Sequence, residues 1–94
     1  MNYMVSYDIS NNKSRRLISD YLKNIGFIRV QKSVFLGEVK LEIYEKMIGY
    51  IDTLIDKKND SICYIPISKN DYLNILSIGK IENYKIYEEE ILYI

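Results

Sequence analysis

Histidine and tryptophan are absent from this 94-residue sequence, which carries one cysteine and one proline. Without histidine there is no Ser-His-Asp or Cys-His nucleophilic site, no helical histidine zinc motif and no histidine general base. Any hydrolytic chemistry falls to carboxylates, a metal and hydroxyls. The lone Cys63 excludes an internal disulfide and a multi-thiolate metal site. It lies in the apolar run SICYIPI and reads as a buried structural thiol. Long apolar runs are missing too, and none approaches the ~18 residues of a membrane span. Met1-Asn2-Tyr3 leads straight into a strand-like run rather than a signal peptide. The expectation is a cytoplasmic protein with no membrane attachment. Repeats, low-complexity linkers and internal boundaries are lacking, so residues 1–94 are expected to form one domain. At that length a chain buries somewhat more than ~60% of its unfolded surface, enough for a modest core.

Net charge is also lacking: 13 Lys and Arg balance 13 Asp and Glu. The balance is uneven along the chain. Residues 1–40 hold seven cations (Lys13, Arg15, Arg16, Lys23, Arg29, Lys32, Lys40) against Asp8, Asp20 and Glu38, a net +4. Residues 41–94 hold six cations against ten acids, a net −4. All three arginines fall in the first third, and a guanidinium fork matches phosphate better than an ammonium does. The split points to an anion-binding N-terminal half, or to the chance unevenness of a small protein.

Residues 2–8 (NYMVSYD) alternate, with Tyr3, Val5 and Tyr7 on one face, and predict a strand. Ser10, Asn11 and Asn12 are turn and N-cap types. From Lys13 to Ile25 the apolar positions Leu17, Ile18, Tyr21, Leu22 and Ile25 recur at helical spacing, and Gly26 is placed to stop the helix. Residues 27–36 alternate again. Ile28, Val30 and Val34 share one face; Phe27, Arg29, Gln31, Ser33 and Phe35 share the other. This run is either one bent strand or two strands broken at Gln31-Lys32-Ser33, the second reaching about Val39. Residues 41–58 predict a helix with the stripe Tyr44, Met47, Ile48, Ile51, Leu54 and Ile55. KKND (57–60) predicts a turn, Ser61–Ile67 a strand, and Pro66 its end or an edge position. Residues 72–79 fit strand or helix. Two helices alternating with short strands imply an α+β, ferredoxin-like βαββαβ sandwich. Ile91–Ile94 is too apolar for a free tail and suggests an additional C-terminal strand.

Asp8 ends the first strand, where ligand sites in open α/β sheets tend to lie. A carboxylate there suits Mg²⁺, which keeps several waters and needs one or two protein carboxylates. The plainer reading is an Asx-turn into the helix. One acid is a poor site, so a partner is required: Asp60 across the sheet, or Asp8 of a second subunit at a two-fold axis. Arg15 and Arg16 open the first helix and read as phosphate clamps or as a solvated face. Arg29, Gln31 and Ser33, interleaved with Phe27 and Phe35, could track a nucleic-acid backbone or form an ordinary sheet face against a second subunit. The ten tyrosines show no stacking-platform pattern.

The runs VSYDIS, KSRR, GFIRVQKSVFLG and NDSICYIPI, in this order and spacing, resemble the small CRISPR-associated adaptation-protein family, the nuclease-like partner of the CRISPR integrase. The resemblance covers about residues 3–67, and RVQKSVF is its specific part. It implies a ferredoxin-like homodimer whose C-terminal segment, about residues 80–94, pairs with the partner subunit. It implies that Asp8 is the metal-binding aspartate, facing its dimer mate to hold Mg²⁺, and that Arg15, Arg29, Ser33 and Phe35 complete a nuclease site. Lys13, Arg15, Arg16, Arg29 and Lys32 are the expected nucleic-acid contacts. Implied activities are cleavage of single-stranded RNA or double-stranded DNA, and bridging of integrase subunits during spacer capture. The sequence departs from the family at Asn11 and Asn12, where acids are frequent, leaving a less acidic pocket. Two other readings stand beside this one: a ribonuclease toxin resembling virulence-associated protein D, and a non-catalytic ferredoxin-like regulatory or binding module.

Overall fold

Alternation and helical spacing translate into seven elements over the residues described by the computed structural model, 1–76, 78 and 79. They are β1 (Asn2–Asp8), α1 (Asn12–Asn24), β2 (Ile28–Gln31), β3 (Val34–Glu38), α2 (Leu41–Asp52), β4 (Ser61–Ile67) and a short α3 (Lys69–Leu73). The four strands form one antiparallel sheet in the order β2-β3-β1-β4. This is the ferredoxin-like βαββαβ arrangement. The segment expected to pair with a partner, 80–94, lies outside the described residues.

The two long helices, α1 and α2, cover one face of the sheet. Tyr3, Val5 and Tyr7 from β1 and Phe35 from β3 pack with Ile18 and Leu22 from α1 and Met47 and Ile51 from α2. Tyr44 of α2 stacks on Tyr3 with centroids 3.9 Å apart and meets Tyr64 edge-on at 6.1 Å. Burial first, then the neighbouring Tyr44 and Asp52, push the Tyr64 phenol up to about 12. The other face carries a smaller cluster, Val30, Leu36 and Ile67, under Tyr72 and Ile75.

The ends of α1 follow from particular residues. Asn11 is the N-cap, its side-chain oxygen accepting from the Ser14 amide at 2.9 Å. At the other end Phe27 N donates to Leu22 O and Gly26 N to Lys23 O, the Schellman pair, with Gly26 at φ 100°. That turn throws Phe27 into the core against Gly37.

The run over 27–39 resolves as two strands. The hairpin turns at Lys32-Ser33, and the register slips between Arg29 and Gln31. α2 ends at Asp52 rather than near residue 58. Leu54 and Ile55 still pack on the core from the following turn, which is why the apolar stripe outruns the helix. Pro66 sits in β4, an edge strand, where its missing N–H costs no ladder bond. Residues 69–73 are helical, started by Ser68, whose hydroxyl accepts from the Asp71 amide.

Cys63 corrects an expectation: it is exposed. An all-apolar strand suggests burial on both sides. Here Cys63 pairs with Ser6 on the face that the two long helices leave open.

Candidate nucleic-acid interface

The elements that fold around the helix-side core place the basic residues together. α1 runs beside β2 and the β2–β3 turn, and between them lies a groove of about 420 Å³. It is lined by Tyr7, Asn12, Arg15, Arg16, Ser19, Asp20, Lys23, Arg29, Lys32 and Ser33. Four of the five expected nucleic-acid contacts, Arg15, Arg16, Arg29 and Lys32, therefore share one depression; Lys13 is exposed on α1 outside it.

Arg29 is half-buried and held on two sides. Its Nη2 donates to the buried Ser19 Oγ at 2.6 Å, and its guanidinium carbon lies 5.1 Å from the Phe35 ring centroid. Its Nε is sealed from solvent without a hydrogen-bond partner among the described residues. Arg15 donates from Nη1 to the Ile9 carbonyl at 3.3 Å, tying α1 to the loop after β1. Phe35 is fully buried and Phe27 nearly so. Neither ring is free to stack on a base, so the aromatics beside Arg29 are core rather than a platform.

Asp8 is not part of this groove. Odd positions of β1 enter the helix-side core, so Asp8 falls with Met4 and Ser6 on the alternate face, at the strand end opposite Ser61. Val5 pairs with Phe35 and Phe35 with Arg29, which puts Arg29 on the opposite face from Asp8. Of the expected nuclease residues, the fold thus brings Arg15, Arg29, Ser33 and Phe35 together, and places Asp8 on the other face of the sheet from Arg29.

Asp8 is exposed, and its carboxylate has no partner among the described residues. It does not cap the helix, because Asn11 does. Asp60, the other carboxylate considered beside Asp8, is engaged in hydrogen bonds of its own. Its Oδ1 accepts from Ser10 N and Ser10 Oγ, each at 3.1 Å, and its Oδ2 from Asp56 N at 2.9 Å. These bonds, those from the Asp56 and Ser10 amides foremost, hold the Asp60 carboxyl below its ordinary value. Asp60 therefore fastens the loop after β1 to the turn before β4. Sequence reading weighed Asp60 only as a ligand. The signal for its actual role was a Ser in one loop and an Asp closing the other, which is not diagnostic by itself.

Among the described residues no group of three His, Cys, Asp or Glu side chains gathers to hold a metal. A single free carboxylate at a strand end fits Mg²⁺ as half of a site, since that ion takes one or two carboxylates and keeps its waters. Asn11, one of the two positions where the sequence departs from the family, is occupied as the N-cap of α1.

Comparison with known proteins carries the family. The sequence profile described as "CRISPR associated protein Cas2" matches residues 1–75. The "CRISPR-associated endoribonuclease Cas2" of Korarchaeum cryptofilum is 31% identical over 81 residues, covering 82% of this chain and 83% of the relative. The protein of the same name from Aeropyrum pernix is 28% identical, covering 81% and 83%. Among solved structures, Streptococcus pyogenes Cas2 superposes with a TM-score of 0.77 at 27% identity, covering 84% of this chain and all of that one. A hypothetical protein, TT1823 from Thermus thermophilus, gives 0.74 at 26% identity, covering 87% and 94%. With a profile match running through all four strands and both long helices, and relatives of matching length, the chain belongs to the Cas2 family.

Proposed function

We propose that this protein acts in CRISPR adaptation as a homodimer that bridges integrase subunits and binds duplex DNA, with Asp8 of both subunits supporting Mg²⁺-dependent hydrolysis of phosphodiester bonds in RNA or DNA. The observation that carries this reading is the placement of Asp8. Its carboxylate is exposed and unengaged among the described residues, on the face the long helices leave open, in a chain of the Cas2 family. A two-fold axis at that face sets two Asp8 carboxylates opposite each other, the pair that one protomer lacks. Bound there, Mg²⁺ would stabilise phosphate charge and activate water. Lys13, Arg15, Arg16, Arg29 and Lys32 are the groups that would hold the nucleic acid by its phosphates. Relatives named endoribonucleases support a nuclease in this family.

The test is spacer integration and nucleic-acid cleavage with wild-type and Asp8→Asn protein in parallel. The substitution removes the charge and leaves the shape. Expected results are loss of Mg²⁺-dependent cleavage to background, an unchanged elution volume, and integration retained. Cleavage by Asp8→Asn at the wild-type rate would sink the catalytic part. Failure to bind DNA with or without the integrase would sink the adaptation part.

A further inference from the structure

We propose that Asp60, acting through Ser10, is a positioning residue for Asp8: it fixes the backbone that carries the Asp8 half-site and so sets the affinity of that site for a divalent cation. The inference rests on the Asp8 reading above and adds the residue that holds Asp8 in place.

The need for such a residue follows from Asp8 itself. Asp8 is the last residue of β1, and its pairing with Ser61 is the last rung between β1 and β4. Its side chain is exposed and unengaged among the described residues, so the backbone decides where the carboxylate sits. Chain leaving a sheet is the part of a fold that opens most easily. A small hard cation tolerates little misplacement of its ligands, and a site shared by two subunits needs both halves preorganised.

The three residues after Asp8 are each tied down. Ile9 is buried in the helix-side core, and its carbonyl accepts from Arg15 of α1. Ser10 gives both its amide and its hydroxyl to Asp60 Oδ1, each at 3.1 Å. Asn11 caps α1. Ile9 and Asn11 fasten the loop to the helix layer; Ser10 fastens it to β4, the strand that carries Ser61. Asp60 immediately precedes Ser61, so the clasp continues the β1–β4 attachment past its last rung, with a side chain standing in for the ladder.

The clasp needs a carboxylate. Asp60 accepts three hydrogen bonds, two at Oδ1 and one at Oδ2 from the Asp56 amide at 2.9 Å. It has no ion-pair partner among the described residues, where the ion pair is Lys57 with Asp52. An asparagine of the same shape has one accepting oxygen and would turn an N–H₂ group toward a donor. It can keep the Ser10 side or the Asp56 side, not both. Asp60 itself is anchored, its amide donating to Asp56 O at 2.7 Å while the Asp56 carboxylate accepts from Lys58 N and Asn59 Nδ2. All the side-chain bonds of the clasp are exposed and lie outside the helix-side core, which lets positioning be separated from stability.

The experiment uses the full chain as wild type, Asp60→Asn, Ser10→Ala, Ser10→Thr and Asp8→Asn, with Mn²⁺ as the probe, a cation suited to carboxylate and water ligands. Paramagnetic broadening of amide NMR signals reads occupancy without reading cleavage. In wild type the broadening is expected to centre on Asp8 and Ser61, and in Asp8→Asn to vanish. Asp60→Asn should need about tenfold more Mn²⁺ for the same broadening, the low end of what a lost outer-shell partner costs. Ser10→Ala should fall between the two, and Ser10→Thr, which keeps both donors, should match wild type. In metal-free protein, hydrogen exchange in Asp60→Asn should quicken at the Ser10 amide and stay unchanged at Val5 and Phe35. A merely structural role predicts the reverse: faster exchange at Val5 and Phe35 as well, with the Mn²⁺ titration of the folded protein unmoved. That result overturns the inference, as does a Ser10→Thr variant no better than Ser10→Ala. Broadening that persists in Asp8→Asn removes the Asp8 reading and this inference with it. Broadening lost in Asp8→Asn but undiminished in Asp60→Asn leaves the Asp8 reading standing and overturns the positioning role alone.

Discussion

The two faces of the sheet are made by alternate residues of the same strands, yet they end in opposite conditions. On the helix side Val5, Phe35, Ile18, Leu22, Met47 and Ile51 are completely buried. On the other side Leu36 and Val30 are covered by Tyr72 and Ile75, while Cys63 is open and Ile65 is 44% exposed. One face is finished by the chain itself and carries the stability. Among the described residues the other leaves apolar and polar side chains exposed, with Asp8 at its rim. Burial stabilises by about 25 cal/mol per Å² of apolar surface removed from water. The stability of one protomer is therefore expected to concentrate on the helix side.

Phe35→Ala should show the largest effect. The ring is fully buried, lies among Val5, Tyr7 and Arg29, and supports the guanidinium at 5.1 Å. Emptying such a site costs about 3–5 kcal/mol, through lost transfer energy and the cavity left behind. Urea denaturation should show this as a lower midpoint with little change in slope. A loss below about 1 kcal/mol would break the distinction between the faces.

Gly37→Ala probes the same face with a smaller perturbation. A Cβ at Gly37 would come within 2.6 Å of the Phe27 ring, which is itself 3% exposed. The ring cannot swing into solvent without leaving the core, so the added methyl overpacks it. The expected cost is about 1–3 kcal/mol, read as a drop in the thermal midpoint. Phe27→Leu in the same background should recover part of it, because a smaller side chain yields the space the methyl needs.

Most of this architecture was legible in the sequence, for physical reasons that differ by element. Period-2 alternation placed β1, and the apolar run placed β4, because strands show their faces directly. Gly26 was legible as a stop because only a positive φ closes the Schellman pair there. The end of α2 was not, because Leu54 and Ile55 pack from a turn and prolong the stripe beyond the helix. Cys63 was misjudged because periodicity reports apolar character, not whether a helix covers it. In the candidate site, the cations were legible as a cluster in sequence. That Ser19 and Lys23 join them required knowing that α1 lies beside the β2–β3 turn. The separation of Asp8 from Arg29 depends on strand parity across three paired strands, which a sequence shows only once the register is known.

Ile65→Ser is the smallest expected effect and the sharpest test of the open face. Ile65 pairs with Met4 on edge strand β4 and is nearly half exposed in the protomer. Exposed substitutions away from special contacts change stability by about 0.5 kcal/mol or less. In dilute protein the thermal midpoint should therefore hardly move. The proposed homodimer adds a second condition. If a second copy covers this face, apolar surface at Ile65 is buried on association, and wild-type stability rises with protein concentration by mass action. The serine variant should lose that concentration dependence while keeping the dilute midpoint. Sedimentation equilibrium and melts over a hundredfold range of concentration read both quantities. A wild-type midpoint independent of concentration, in a protein that sediments as a monomer, would show that no second copy covers the open face. A large loss in the dilute variant would show that Ile65 already belongs to the protomer's own core, and the contrast between the faces would fail at the strand where it is drawn.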